Sequence, residues 1–174
     1  DGTKEFIKRN GEFTVNIALF ENNQPVLGIV YSPVLDKLYF GGSAVGFSKL
    51  KTADAEVELV KKSGETLAEL KTKEECRIVA SRSHRNQETE DFIASCKNTD
   101  IVSMGSSLKF MVLAEQNADI YPRFAPTMEW DTAAADGVLR GLDYNVFQVV
   151  NNSPTQKLVQ YNKADLLNPY FIAY

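Results

Sequence analysis

The sequence predicts an α+β fold built from layered sheets and helices, and two patterns support that prediction. Residues 13–51 alternate apolar and polar side chains between turn sequences, which is typical of an antiparallel meander. From residue 77 onward, short β-branched runs alternate with helical patterns, which is typical of an α/β unit. At 44% hydrophobic residues, the 174-residue chain can form a substantial core. We therefore expect an antiparallel sheet domain within residues 1–65 and an α/β domain within residues 75–174.

The first unit is predicted to open with helical turns and to continue as a β-hairpin. Asp1–Arg9 carries a few apolar side chains among charges, and Asn10-Gly11 ends any helix there. Phe13–Phe20 alternates as a strand, Glu21–Gln24 forms a turn, and Pro25–Tyr31 is a second β-branched run. A further strand follows in the same meander.

Residues 52–75 are polar and alternate in charge, so we expect a surface connection and a domain boundary there. The unit beyond it is predicted to alternate strands with helices. The expected strands are Arg77–Ser81, Asp100–Met104 and Asp119–Tyr121, and the expected helices are Gln87–Cys96, Ser106–Glu115 and Asp131–Leu139.

Composition excludes several classes of protein. A net charge of −4 without a long basic stripe argues against sequence-independent nucleic-acid binding, which needs many Lys and Arg contacts to phosphates. No apolar run is long enough to span a bilayer. Cys76 and Cys96 lack a C-x-x-C spacing and, with a single histidine, cannot form a standard zinc site. We expect two reduced thiols in or near the core, in keeping with a reducing cytoplasm.

The tripeptide Asp1-Gly2-Thr3 is the first candidate functional segment. It precedes the predicted helical turns, and the unpaired N–H groups of a helix N-terminus suit a phosphate. Gly2 would allow close backbone approach, Thr3 offers a hydroxyl, and the Asp1 carboxylate could hold a divalent cation. The same tripeptide is also an ordinary turn-and-cap sequence, so alone it leaves both interpretations open.

The second candidate segment is Trp130-Asp131-Thr132 with the alanines that follow. Asp131 is placed to cap the predicted helix, and the alanines could simply allow close helix packing. Alternatively, the Asp131 carboxylate faces a cation while the helix end faces a phosphate. Two aspartates at two helix N-termini, converging on shared metal ions, would provide what phosphoryl hydrolysis needs.

Taken together, the two segments resemble the inositol monophosphatase superfamily. Asp1-Gly2-Thr3 is similar to the second half of its Asp-Pro-(Ile/Leu)-Asp-Gly-Thr motif, and Trp130–Ala134 is similar to its downstream Trp-Asp-x-Ala signature. The resemblance covers essentially the whole chain, and within the superfamily it favours the CysQ-type 3′(2′),5′-bisphosphate nucleotidases. The segments that favour this group are Thr3–Ile7, Ser81–His84, Gly105–Lys109, Ala118–Arg123 and Tyr161–Pro169.

The resemblance implies a layered sugar-phosphatase fold, in which a remnant of the antiparallel sheet precedes an α/β domain. It also implies a cytoplasmic, Mg²⁺-dependent phosphatase of sulfur assimilation that converts 3′-phosphoadenosine 5′-phosphate to AMP and phosphate. Asp1 and Asp131 would be metal ligands and, with Thr3, catalytic residues. Gly2 and Thr3 would cradle the scissile phosphate, and Asp131 would also face the substrate.

The remaining substrate contacts are also implied by the resemblance. His84 would contact the nucleoside, while Ser106, Lys109 and Arg123 would bind the second phosphate. Each residue also has an ordinary interpretation. His84 could be a surface loop residue, and Ser106 could be a helix N-cap. Lys109 and Arg123 could be solvated surface side chains.

The chain starts at the second aspartate of its own motif, so other ligands of the superfamily site are outside it. We therefore expect the 174-residue chain alone to have little or no phosphatase activity, although its parent protein is an enzyme. Two other functions stay open: an inositol- or sugar-phosphate phosphatase, and a non-catalytic phosphate-binding domain. The sequence also leaves open a homodimer and peripheral attachment to the inner membrane.

Overall fold

The computed structural model describes residues 1–61, 63–81 and 85–174. After the short helix α1 (Thr3–Lys8), the chain forms a five-stranded sheet whose strands follow in sequence order and pair antiparallel. The helical turns, the hairpin and the meander are thereby confirmed. The strands are β1 (Val15–Glu21), β2 (Gln24–Ser32), β3 (Lys37–Gly42), β4 (Phe47–Lys51) and β5 (Glu56–Glu58).

The prediction that residues 52–75 are only a surface connection was wrong in part. They contain β5 and the helix α2 (Leu67–Thr72). The side chains of β5 are exposed, so the strand is held by backbone pairing with β4, and its three residues are too few to show a strand pattern in the sequence. Helix α2 is short and is stabilised by a capping box, in which Thr66 and Glu69 satisfy each other's backbone N–H groups.

The second half of the chain alternates strands and helices as predicted and then adds strands in a region without a predicted element. Strands β6 and β7 pair parallel, and a four-stranded antiparallel sheet has the order β10-β9-β11-β8. The elements are β6 (Cys76–Val79), α3 (Gln87–Ala94), β7 (Thr99–Val102), α4 (Leu108–Ala114), β8 (Tyr121–Arg123), α5 (Glu129–Arg140), β9 (Val146–Val150), β10 (Ser153–Leu158) and β11 (Phe171–Ala173).

Helices α4 and α5 pack together, with the five-stranded sheet on one side and the four-stranded sheet on the other. Strand β11 shows the layering, because Phe171 and Ala173 face the core around α4 and α5 while Ile172 faces a second apolar cluster. Helix α5 lies so close to β2 that a Cβ on Gly28 would be 1.9 Å from the Ala134 carbonyl oxygen. Glycine at this position therefore lets α5 sit directly on the sheet.

The two cysteines are free and buried, as predicted. Burial raises the pKa of the Cys76 thiol to about 12, and it also raises that of Cys96. Within the described ranges, no helix is both long and apolar enough to cross a membrane.

Candidate functional site

A cleft of about 180 Å³ lies where α1, α4, β8 and the start of α5 meet. It brings together Asp1, Ser106, Lys109, Arg123 and Asp131, which are distant in the sequence. The cleft is lined by Asp1, Glu5, Ser106, Lys109, Phe110, Tyr121, Arg123, Pro126, Thr127, Asp131 and Thr132.

Asp1 is held at this cleft by the residue that precedes β1. Its terminal nitrogen donates to the Thr14 carbonyl at 2.8 Å, and the Thr14 N–H donates to the Asp1 carbonyl at 3.0 Å. The buried Thr14 hydroxyl lies 2.7 Å from the hydroxyl of Ser107, which in turn donates to Asn16 Oδ1 at 3.0 Å. Thr14 therefore joins Asp1 to the start of α4. No sequence motif singled out Thr14 or Asn16, because their roles depend on contacts between distant segments.

Gly2 and Thr3 are placed differently from the residues that line the cleft. Gly2 has a φ of 93°, and a Cβ there would be 2.9 Å from Phe13 Cα and 3.1 Å from Ser106 Cβ. The glycine thus lets α1 approach Ser106. Thr3 is exposed and is not among the described residues that line the cleft. The phosphate contacts assigned to these two residues stay a prediction.

Asp131 lies inside the first turn of α5 instead of capping it, so the predicted N-cap was wrong. The helix begins at Glu129, its N-cap is Met128, and Asp131 Oδ2 accepts the Met128 N–H at 2.8 Å. Hydrogen bonds from more distant residues explain the earlier start, and these could not be inferred from local sequence. No hydrogen bond from the described residues reaches the other carboxylate oxygen, Oδ1, which remains able to face a ligand.

Two side chains anchor this end of α5, and sequence reasoning missed both. The buried carboxylate of Glu129 accepts the Asn162 N–H at 2.7 Å, the Lys163 N–H at 3.2 Å and the Lys163 ammonium. Burial acts to raise the pKa of Glu129, but these hydrogen bonds outweigh it, and the pKa is lowered.

Asn168 is the second anchor. Its side-chain amide donates to Met128 O at 2.9 Å, Thr132 Oγ1 at 3.0 Å and Thr127 Oγ1 at 3.2 Å. Asn168 thus holds the residues on both sides of Asp131 and fixes its position.

Two positively charged side chains, Lys109 and Arg123, also line the cleft of about 180 Å³. Burial, reinforced by the positive charge of Arg123, lowers the pKa of Lys109 to about 8, even though the carboxylates of Glu5, Glu12 and Asp131 act to raise it. Among the described residues, the Lys109 ammonium donates one long hydrogen bond, 3.4 Å, to the Ser106 carbonyl. The buried Nε of Arg123 has no hydrogen-bond partner among the described residues. Both cations are therefore suited to an anionic ligand.

Ser106 has a φ of 42° and precedes the actual N-cap of α4, Ser107. The N-cap alternative for Ser106 was therefore wrong by one residue. His84, the predicted nucleoside contact, lies outside the described residues. A neighbouring cleft of about 140 Å³ shares Lys109, Tyr121 and Arg123 with the first. The two cations thus lie between two adjoining clefts.

A larger cleft, of about 310 Å³, surrounds Asp119 on another part of the surface. There Lys73 and Arg77 both pair with the Asp119 carboxylate, at 3.0 and 3.1 Å. Because its charges already neutralise each other, this cleft is a weaker candidate for an anion than the one beside Lys109 and Arg123.

The oxygen atoms that line the cleft of about 180 Å³ fit a hard divalent cation. In the described ranges, no group of three or more His, Cys, Asp or Glu side chains is arranged to hold a metal ion. However, Asp1 and Asp131 line the same cleft, and Mg²⁺ is commonly bound by one or two carboxylates together with waters and substrate phosphates. Two carboxylates in one cleft match the number of protein ligands that Mg²⁺ usually takes.

Residues 1–171 match the inositol monophosphatase family, and the chain belongs to that family. The predicted family and the layered α+β fold are confirmed. The 3′(2′),5′-bisphosphate nucleotidase CysQ of Salmonella typhimurium is 43% identical over 145 residues, which are 79% of this chain and 52% of that protein. CysQ of Haemophilus influenzae is 30% identical over 173 residues, which cover 99% of this chain and 60% of that protein.

Solved structures agree with this assignment. CysQ from Bacteroides thetaiotaomicron, a bacterial member of the inositol monophosphatase family, is 44% identical with a TM-score of 0.80, over 99% of this chain and 66% of that chain. SuhB of Mycobacterium tuberculosis, at 17% identity and a TM-score of 0.67 over 99% of this chain and 63% of that one, shares the fold. The chain spans about half the length of curated relatives that it matches, 52% for the Salmonella protein.

Proposed function

We propose that this protein is a Mg²⁺-dependent phosphatase that removes the 3′-phosphate of 3′-phosphoadenosine 5′-phosphate, giving AMP and inorganic phosphate. The observation that carries the proposal is the shared cleft, where the carboxylates of Asp1 and Asp131 lie with the cations Lys109 and Arg123. The names of the CysQ relatives support a bisphosphate nucleotide as the substrate. A cytoplasmic role in sulfur assimilation is part of the same proposal.

Asp1 and Asp131 would hold Mg²⁺ in this cleft. When bound, Mg²⁺ supplies Lewis-acid neutralisation of the charge on the phosphate oxygens during hydrolysis. Asp131 is suited to this role because one of its oxygens is fixed by the Met128 N–H while the other is not bonded to a described residue. Gly2 and Thr3 would orient the scissile phosphate from the start of α1, which the Asp1–Thr14 backbone pair holds in place.

Lys109 and Arg123 would bind the phosphate that is not cleaved. Their position between two adjoining clefts supports this role, because a bisphosphate nucleotide has to place two anionic groups and a nucleoside. With a pKa of about 8, Lys109 is mostly charged at neutral pH. Arg123 can donate two hydrogen bonds to one phosphate.

The test is phosphate release by the full-length protein with Mg²⁺, comparing 3′-phosphoadenosine 5′-phosphate with inositol 1-phosphate. We expect Lys109→Ala and Arg123→Ala each to lower kcat/KM for the bisphosphate roughly a hundredfold, as expected for removing a charged contact in a partly buried site, and to affect the monophosphate much less. Lys157→Ala, which removes an exposed lysine, is the matched control. Equal losses for both substrates would contradict the nucleotidase assignment and favour an inositol- or sugar-phosphate phosphatase.

The 174-residue chain alone is expected to release little or no phosphate in the same assay. Turnover close to that of the full-length protein would contradict this expectation. If the full-length protein bound the nucleotide but showed no Mg²⁺-dependent turnover, it would be a non-catalytic phosphate-binding protein.

A further inference from the structure

Three side chains connect the elements around the cleft of about 180 Å³ through a chain of hydrogen bonds. The hydroxyls of Thr14 and Ser107 lie 2.7 Å apart, and Ser107 donates to Asn16 Oδ1 at 3.0 Å. Asn16 Nδ2 in turn donates to the Trp130 carbonyl at 3.4 Å. Both hydroxyls are buried, with Thr14 4% and Ser107 1% exposed. The chain therefore runs from the residue before β1, through the start of α4, to the first turn of α5.

The hydrogen atoms of this chain can point in only one direction. The Trp130 carbonyl can only accept, so the Asn16 amide nitrogen faces it and the amide oxygen faces Ser107. A serine hydroxyl has one hydrogen atom, and Ser107 donates it to Asn16 Oδ1. In the contact between the two hydroxyls, Thr14 is therefore the donor and Ser107 the acceptor. Removing either hydroxyl leaves a buried polar partner without its bond, which is costly.

Ser107 uses its hydroxyl differently from most serines at a helix N-cap. A serine at this position commonly accepts a backbone N–H from the first turn of its helix. In α4, no such bond is formed among the described residues, because the Ser107 hydroxyl is engaged with Thr14 and Asn16. Its side chain thus stabilises the contact between elements and not the helix end.

The two ends of the chain lie next to the two carboxylates of the cleft. At one end, Thr14 exchanges backbone hydrogen bonds of 2.8 and 3.0 Å with Asp1. At the other end, the bond is to the carbonyl of Trp130, which directly precedes Asp131 in α5. Asp1 and Asp131 are therefore connected through the interior of the protein, by three side chains that do not line their cleft.

We infer that Thr14 and Ser107 are positioning residues, which set the distance between the Asp1 and Asp131 carboxylates that would bind the metal ion. Two carboxylates share one cation only when their oxygens converge on it, so residues that hold metal ligands commonly change metal affinity by about 10–100-fold. The inference rests on the proposed metal-dependent phosphatase, but it concerns metal affinity and is tested without turnover.

Mn²⁺ binding to the full-length protein, measured by electron paramagnetic resonance without nucleotide, tests the inference, because Mn²⁺ takes the same oxygen ligands as Mg²⁺. Thr14→Val keeps the shape of the side chain but removes its hydroxyl, so we expect the dissociation constant for Mn²⁺ to rise about tenfold. Thr14→Ser restores a hydroxyl at the same position and should return this constant to within about twofold of the unchanged protein.

Ser107→Ala breaks the same chain one bond further on and should raise the Mn²⁺ dissociation constant to a similar extent. It decides the matter by itself where Thr14→Val does not fold. Once one hydroxyl is lost the chain is already broken, so the double variant should also show a rise of about tenfold. A rise of about a hundredfold would mean that the two hydroxyls act independently, and would contradict a single chain.

Ser48→Ala is the matched control for stability. Ser48 is also a fully buried serine, and its hydroxyl donates to the Val138 carbonyl at 2.6 Å. Val138 lies in α5 about two turns beyond Asp131. We expect the midpoint of urea unfolding to fall about as much as in Ser107→Ala, while the Mn²⁺ dissociation constant stays within about twofold of the unchanged protein.

Trp130→Ala is the second control, because it keeps the carbonyl that Asn16 bonds and removes only the side chain. That side chain is 58% exposed and lines a separate, mostly apolar cleft of about 260 Å³ between β1 and α5. The Mn²⁺ dissociation constant should therefore stay within about twofold of the unchanged protein.

An unchanged Mn²⁺ dissociation constant in Thr14→Val and Ser107→Ala would overturn the inference and leave the proposed phosphatase intact. So would an equal rise in Ser48→Ala, since lost stability alone would then explain the effect. If the unchanged protein binds Mn²⁺ but releases no phosphate from the nucleotide, the proposed reaction fails, and the Mn²⁺ constants of the variants still decide the inference. Absence of Mn²⁺ binding in the unchanged protein would overturn both.

Discussion

Trp130 and Asp131 are neighbours in the first turn of α5, yet they face two clefts of opposite character. Successive residues of a helix point about 100° apart, so adjacent side chains can line different surfaces. The cleft at Asp131 contains carboxylates and the cations Lys109 and Arg123, whereas the cleft at Trp130 is mostly apolar and borders the edge of β1. One helix end therefore positions both sites, and the chemistry of each can be changed separately.

Both clefts depend on the contact between α5 and β2, because α5 forms a wall of each. A Cβ on Gly28 would be 1.9 Å from the Ala134 carbonyl oxygen, and a Cβ on Gly137 would be 2.9 Å from the Gly28 nitrogen. Because both close contacts involve backbone atoms, neither can be relieved by rotating a side chain.

Gly28→Ala should have the largest effect, because it disturbs both clefts at once. The added methyl group has to push α5 away from the sheet, and we expect the free energy of unfolding to fall by about 3 kcal/mol. Urea unfolding followed by circular dichroism measures the change. Gly64→Ala is the matched control, since a Cβ there meets nothing within 4 Å, and a comparable loss in that variant would contradict the steric explanation.

Glu129→Ala should have the next largest effect. It leaves the backbone N–H groups of Asn162 and Lys163 without their acceptor and removes the ion pair with the Lys163 ammonium, so we expect a loss of about 2 kcal/mol in the free energy of unfolding. Glu58→Ala, on the exposed edge strand, removes a carboxylate that is not buried and should change stability by less than about 0.5 kcal/mol. Similar losses in the two variants would show that Glu129 does not anchor α5.

The elements that the sequence predicted well are those with a strong local pattern. The hairpin of β1 and β2 alternates and turns through Asn22 and Asn23, both with positive φ, and α5 is rich in alanine. Strand β5 was missed because its three residues are exposed, and helix α2 because it is short and packs only Leu67 and Leu70 into the core. Residues 171–173 form a strand too short to show a pattern.

The candidate site could be predicted only in part, for a related reason. Asp1 and Asp131 belong to motifs, and Lys109 and Arg123 were proposed from similarity to a family. Thr14 belongs to no motif, and its importance follows from bonds to Asp1 and Ser107 that exist only after folding. The start of α5 was misplaced because Asn162, Lys163 and Asn168 contribute to it from the far end of the sequence.

The charge of Lys109 should make anion binding in the Asp131 cleft depend on pH. Its pKa is lowered to about 8, so above that pH the free protein loses the positive charge. AMP is a dianion throughout this range, since the second pKa of its phosphate is near 6. We expect the affinity for AMP to fall by up to about tenfold for each pH unit above 8, measured by isothermal titration calorimetry.

Lys109→Arg is the control for this prediction, because arginine stays charged and should give a nearly flat profile above pH 8. A flat profile in the unchanged protein would show that Lys109 does not contact the anion.

The effect of the Lys109 pKa on folding stability has the opposite sign. Between about pH 8 and 10.5 the unfolded chain binds more protons at Lys109 than the folded protein does, so this residue makes folding more favourable as pH rises.

Trp130→Ala should have the smallest effect on stability and none on AMP binding. This contrast with the Lys109 variants distinguishes the two clefts most sharply. Trp130 is 58% exposed, so its loss should change the free energy of unfolding by no more than about 0.5 kcal/mol. AMP affinity and its pH profile should be unchanged, because Trp130 does not line the cleft that contains Lys109 and Asp131. A tenfold loss of AMP affinity in Trp130→Ala would show that the two clefts act as one site. Since the side chains of Trp130 and Asp131 diverge from a single turn of α5, we expect the substitution to remove only the apolar wall beside β1.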